Sequence, residues 1–143
     1  MDSRPLALTI MNDLQAREFA ANWIDAWNSH DLNRIMEHYD SEVVLISPVA
    51  ARIMCDPSVG DPAGTITGAP RLRAYFAKGL EFYPQLEFRL LETFCGLNSV
   101  VLYYTNQNRT GTAEFMEFGP NGKVSRVVAN YTEPGVSAPH RLS

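Results

Sequence analysis

The 143-residue sequence is poor in the features that would announce a chemistry outright. It has two cysteines, Cys55 and Cys95, and neither belongs to a Cys-x-x-Cys or a Cys/His cluster. A disulfide framework and a structural zinc site therefore have no support, and both thiols are read as reduced. His30, His38 and His140 show no ligand spacing with one another or with a second donor, so no metal is expected. Positive charge is scarce: 12 Lys and Arg stand against 16 Asp and Glu, a net charge of −4, with no charge run. Nucleic acid and anionic membrane surfaces are thus not expected partners. No apolar span approaches the ~18 residues that a membrane helix needs. The apolar run within MDSRPLALTIM is too short for a secretory signal, which makes a soluble cytoplasmic protein the expectation. There is no GxGxxG and no phosphate-binding loop pattern, so nucleotide binding lacks support and no cofactor is expected. No internal repeat is visible.

What remains is an ordinary globular composition, 45% hydrophobic and 20% charged, in a chain long enough for one domain with its core over about residues 12–132. The stretch FAANWIDAWNSHDLNRIMEHY, residues 19–39, organises it. Ala16, Phe19, Ala20, Trp23 and Trp27 recur at three- and four-residue steps and share one helix face. A polar turn follows at Asn28, Ser29 and His30. Asp31 is suited to cap a second helix, on which Leu32, Ile35, Met36 and Tyr39 continue the period. Upstream, Asn12 or Asp13 caps the first helix.

Glu42 to Ser47 is a β-branched run ended by Pro48, a first strand. Residues 49–68 hold two Asp-Pro pairs and three glycines, a long excursion with a short helical turn near Ala50 to Met54 and a candidate lid. A third helix opens at Gly68-Ala69-Pro70, carries Leu72, Tyr75, Phe76 and Leu80 as its stripe, and ends at Pro84. From Leu86 the period becomes two. Its phase slips at Leu90-Leu91, which predicts a bulge. Val100 to Tyr104 is apolar on both faces, Ala113 to Phe118 and Val124 to Thr132 are further strands, and Gly119-Pro120-Asn121-Gly122 is a hairpin signal. The tail from Glu133 is expected to be mobile. Helices first and hairpin strands afterwards define an α+β layout with helices on one face of a bent sheet.

Three segments together resemble the nuclear transport factor 2-like superfamily in its SnoaL-like and ketosteroid-isomerase-like branch. They are FAANWIDAWNSHDLNRIMEHYDSEVVLISPVA, ITGAPRLRAYFAKGL and FMEFGPNGKVSRVVANYT. The resemblance implies a cone: a curved antiparallel sheet wrapped around a long N-terminal helix, with an apolar pocket open at one end. It also implies a homodimer packed sheet to sheet, which the two-sided apolar strand Val100 to Tyr104 independently suggests. Carried over by position, the family's general base falls where this chain has Ser47-Pro48-Val49, so that base is missing. The family's oxyanion tyrosine aligns with Trp23. Its second acid aligns with Glu114. One role of three survives in kind, which argues against steroid isomerisation.

The candidate site residues follow. In the alternation Thr112, Glu114, Met116, Phe118 against Ala113, Phe115, Glu117, one of the two glutamates faces inward. Glu114 in an apolar pocket beside Trp23 would have a raised pKa and serve as a proton donor or shuttle; otherwise it is solvated or paired with an arginine such as Arg126. Trp23, Trp27 and Tyr39 line the pocket or simply fill the core. Phe76 and Met116 join that lining. Asn130 and Tyr131 point to opposite faces of the last strand, so one of them enters the cone, with Asn130 the second catalytic candidate. Ser47 is too weak a nucleophile alone and counts as a binding residue. The sequence thus supports a cofactor-independent isomerase, cyclase or dehydratase acting by proton transfer on a small apolar carbonyl or polyketide-like molecule. A non-catalytic binding module and a pocketless structural dimer are the competing readings.

Overall fold

The computed structural model describes residues 11–53 and 63–132. Expectations for Cys55, His140, residues 1–10 and the tail from Glu133 lie outside the described residues. Helix α1 spans Asp13–Ser29. It begins with a reciprocal cap: Asn12 Oδ1 accepts from the Gln15 N–H (2.8 Å) and Gln15 Oε1 accepts from the Asn12 N–H (3.0 Å). Two donors that the helix itself cannot satisfy are thereby satisfied. Ala16, Ala20, Trp23, Ala26 and Trp27 form the buried stripe that the spacing predicted, with Phe19 packed at its margin.

The helix ends because His30 turns left-handed, at φ 61. Its ring anchors the turn, Nε2 donating to the Leu86 carbonyl at 2.8 Å. Two residues before that corner, the Asn28 side chain clasps the backbone of Phe88 at both groups, accepting from its N–H (2.7 Å) and donating to its carbonyl (2.9 Å). Asp31 then caps α2 (Leu32–Met36), its carboxylate accepting from the Asn33 and Arg34 N–H groups. This helix is shorter than the periodicity suggested. The Glu37 and His38 N–H groups fold back onto Asn33 and Ile35, and Tyr39 opens strand β1 (Tyr39–Ile46) instead of closing a helix.

Helix α3 (Pro48–Ile53) follows, then β2 (Thr65–Thr67), a strand inside the segment expected to be irregular. Helix α4 (Ala69–Phe82) starts after Gly68, whose φ of 92 suits glycine alone, and has Pro70 in its first turn, where no N–H is needed. The remaining strands are β3 (Arg89–Cys95), β4 (Ser99–Thr105), β5 (Gly111–Phe118) and β6 (Val124–Tyr131). The predicted slip appears as a register shift between Leu90 and Glu92. The Gly119–Gly122 turn joins β5 to β6, with Gly122 at φ 81.

The six strands form one curved, unclosed sheet in the order β2-β1-β6-β5-β4-β3. Every pairing is antiparallel except β1 with β6, which is parallel, so the expected antiparallel sheet is mixed. Those two strands are the ends of a long connection and not of a hairpin, so no tight turn dictates their direction. Period-two alternation sorts the side chains. Val43, Leu45, Val100, Leu102, Tyr104, Met116, Val124 and Val127 face the helices and are buried. With the stripe of α1 and Leu72, Tyr75 and Phe76 of α4, they make a single core. Each large apolar side chain so buried contributes about 1.5–3 kcal/mol.

The opposite face is less polar than an exposed sheet surface usually is. Register aligns Phe94, Val101, Phe115, Val128 and Ile46 in one row across five strands, and Phe94 is 54% exposed. Tyr103 stands in the adjacent row, also exposed.

Candidate functional site

Glu114 lies on β5 between Leu102 of β4 and Ala129 of β6, on the core-facing side of the sheet. It is 6% exposed and is the one residue with a carboxylate or cationic side chain that is buried among the described residues. Glu117, three residues on, falls on the other face, so the alternation resolves in favour of Glu114. Burial pushes the Glu114 carboxyl up to about 7, and no cation among the described residues offsets the loss of water. The Tyr104 hydroxyl opposes that shift by donating to Glu114 Oε1 at 2.5 Å. Tyr104 reaches it diagonally, from the position two residues beyond the directly paired Leu102. Desolvation, and secondly the nearby Glu114 charge, hold the Tyr104 phenol well above its ordinary range, so it remains a proton donor.

A second polar pair sits beside the first. The Trp23 indole N–H donates to the Tyr39 hydroxyl at 2.8 Å, both side chains being buried. Burial, followed by the charge of Glu114, raises the Tyr39 pKa strongly. Trp27 Nε1 lies close enough to the same oxygen to lower that pKa slightly, yet it has no hydrogen bond of adequate geometry and counts as an unpaired buried donor. The rings interlock: Trp23 stacks on Phe88 at 5.8 Å and tilts against Tyr104 at 5.3 Å, while Phe76 meets Trp27 edge-on at 4.7 Å. Towards the end of β1, Ser47 is buried with its Oγ 3.4 Å from the Tyr131 hydroxyl and within reach of the Val49 N–H.

The structure therefore brings Glu114, Trp23, Trp27, Tyr39, Phe76, Met116, Tyr131 and Ser47 to the concave side. It does not bring Asn130 there. Asn130 pairs with Ala113 on the outer face, is exposed, and spends its amide on the Ala113 and Val128 carbonyls. Tyr131 is the residue of that pair that turns inward, because it shares the parity of Ala129 and Glu114. Tyr104 and Phe88 are the site residues that the sequence reading missed. Only the diagonal relation of Tyr104 to Glu114 across a correctly registered β4–β5 hairpin would have revealed the first. Among the described residues no cluster of His, Cys, Asp and Glu is arranged to hold a metal. No described helix is long and apolar enough to cross a membrane.

A mixed six-stranded sheet curled over a long amphipathic helix, with an acid and several hydroxyls on its concave side, defines a protein of the NTF2-like α+β class. Within that class the chain belongs to the SnoaL-like domain family, which matches residues 20–132. It is similar to a SnoaL-like protein of unknown function from Burkholderia thailandensis, with 31% identity and a TM-score of 0.79 over 87% of this chain and 99% of that one. A protein of unknown function with a cystatin-like fold from Methylobium petroleophilum is 15% identical, with a TM-score of 0.67 over 90% of this chain and 83% of that one. A candidate ketosteroid isomerase from Kribbella flavida is 19% identical, with a TM-score of 0.60 over 89% and 87% of the respective chains. The last two likenesses are of fold alone. No curated protein matches the sequence significantly.

Proposed function

We propose that the concave face holds a small apolar molecule bearing a carbonyl or a polyketide-like oxygen pattern, and that Glu114 moves a proton on it in an isomerisation, cyclisation or dehydration. The observation that carries this reading is the one carboxyl buried among the described residues, whose pKa is pushed up to about 7, close to where a general acid and base are both available. Tyr104 holds Oε1, which leaves the other carboxyl oxygen to give or take the proton. Trp23, Tyr39, Phe76, Met116 and Tyr131 shape and orient, and Ser47 marks the far edge. The reading needs no cofactor.

The test is a thermal-shift screen with aromatic ketones and polyketide fragments, since a ligand that binds only the folded state raises the melting temperature. It is followed by turnover of any hit. Glu114→Gln is expected to keep binding within a few-fold and to lower kcat by roughly 10²–10⁴, the usual worth of a positioned acid–base. Unchanged turnover in that variant would remove Glu114 from the chemistry. A second reading, a non-catalytic binding module, is favoured by one specific observation. The end of β1 offers Ser47-Pro48-Val49 and no acid, so a second proton-transfer group is absent from that place.

The same proposal includes a homodimer joined through the outer sheet face. Its support is the registered row of Phe94, Val101, Phe115, Val128 and Ile46, an apolar strip that water covers poorly. Light scattering at micromolar concentration should give twice the chain mass, and Phe115→Glu should halve it. A wild-type monomer under those conditions refutes the dimer.

A further inference from the structure

Hydrogen-bond bookkeeping on the concave face leaves donors in surplus. The Trp23 N–H is used by the Tyr39 oxygen, and the Tyr104 O–H by Glu114. The Trp27 N–H is buried without a partner. Tyr39 accepts from Trp23, and no described acceptor takes its own proton. An unpaired buried donor costs more than a hydrogen bond gains, and native structures rarely tolerate one without a reason. Trp27 Nε1 and the Tyr39 oxygen are close enough to affect each other, so the two groups can offer their hydrogens to one atom. We infer that Trp27 N–H and Tyr39 O–H form a two-donor subsite for an uncharged carbonyl-type oxygen of a flat, apolar ligand.

Each qualifier has its own ground. The atom must be an acceptor, because both protein groups offer hydrogens. It must be uncharged, because among the described residues Glu114 is buried and no lysine, arginine or histidine is, so a carboxylate or phosphate would be desolvated beside an acid without a described counterion. An aromatic, flat ligand suits the place best, because Trp27 is itself in contact with the rings of Phe76, Phe88 and Trp23 at 4.7–6.0 Å between centroids, so its surroundings are ring faces and edges. The subsite rests on the proposed reading of the concave face as a ligand site. It adds which atoms fix the ligand, and it assigns them away from Glu114.

The experiment compares 9-fluorenone with fluorene, two rigid molecules of nearly one shape that differ in the carbonyl. The chain has two tryptophans, so 15N-labelled protein gives two indole N–H signals, and Trp27→Phe identifies which is which. Fluorenone is expected to move the Trp27 signal downfield, and fluorene is not. Fluorenone affinity, taken relative to fluorene, should fall about fivefold in Trp27→Phe, the worth of one neutral hydrogen bond. Tyr39→Phe should cost a similar factor while leaving Trp27 in place. If both compounds bind and the Trp27 signal responds to neither or to both alike, the subsite is wrong and the ligand-site reading stands. If neither binds up to its solubility limit, both fall. Should Trp27→Phe fail to fold, Trp23→Phe assigns the two signals and the wild-type comparison alone decides.

Discussion

Trp23→Ala should lower the unfolding free energy by about 3–5 kcal/mol, the range for removing a fully packed large aromatic. Trp23 is 1% exposed. Its ring is in contact with Phe88, Tyr104 and Trp27, which belong to a loop, to β4 and to α1, so truncation opens a void at the junction of three elements. Backbone rearrangement cannot fill that void cheaply, because α1 is fixed by its cap at one end and by His30 at the other. The Tyr39 hydroxyl also loses the donor it accepts from. Set against a total of roughly 5–15 kcal/mol for a domain, the loss is about a fifth of the stability or more. It should appear as a drop in melting temperature of about 10–15 °C for a chain of this size. Urea unfolding followed by far-UV circular dichroism gives the free energy directly. Leu14→Ala, on the exposed side of the same helix, is the control and should stay within about 0.5 kcal/mol. A Trp23→Ala loss no larger than that control would mean that the aromatic cluster is not what holds helix to sheet.

Glu114→Gln should make the protein more stable at pH 8 and nearly indifferent below pH 4.5. The direction follows from linkage. The folded-state pKa is raised to about 7 from an ordinary value of 4.5. Between those two values the unfolded chain has released the proton and the folded chain still holds it. Fewer protons on the unfolded state mean that stability falls as pH rises through that window, and the loss is complete once pH exceeds the folded value. Its full size is about 3 kcal/mol, 2.5 pH units at 1.36 kcal/mol each. Glutamine has no proton to lose and still accepts from Tyr104. The measurement is the wild-type minus variant difference in melting temperature across pH 4–9, because other acids tilt the curve the other way. Asp40, for one, is held below its usual value by the Glu42 N–H and the Asn121 amide, so it favours the folded state as pH rises. A difference that stays flat with pH would place Glu114 in contact with water.

The parts of this architecture that the sequence made legible are those decided locally. Asn12 and Asp31 cap helices because a short polar side chain beside free N–H groups is a three-residue event. The slip at Leu90-Leu91 and the Gly119–Gly122 turn are similarly local, and both are where the alternation put them. What was not legible depends on partners far away in the chain. Thr65–Thr67 is a strand only because β1 offers its open edge, with Leu45 facing Ile66. Tyr39 fits the helical period of Ile35 and Met36, and only the pull of β6 on the following residues makes it the start of a strand. Asn130 and Tyr131 are told apart by register, which a period of two cannot supply without the neighbouring strand. The candidate site shows the same division. Glu114 stood out as a charge among apolar residues, whereas Tyr104, the group that binds it, looked like one more aromatic in a hydrophobic strand.

Among the rings that enclose Trp23 and Trp27, four belong to regular elements: the two tryptophans to α1, Phe76 to α4 and Tyr104 to β4. Phe88 does not, for it precedes the first ladder bond of β3. Its backbone is clasped by one amide side chain at the end of a helix sixty residues earlier, with His30 on Leu86 and Gln107 on Glu87 holding the same segment. The ring that shields the indole is thus hung outside the strand ladder, on side-chain clasps at the far end of α1 and in the β4–β5 turn.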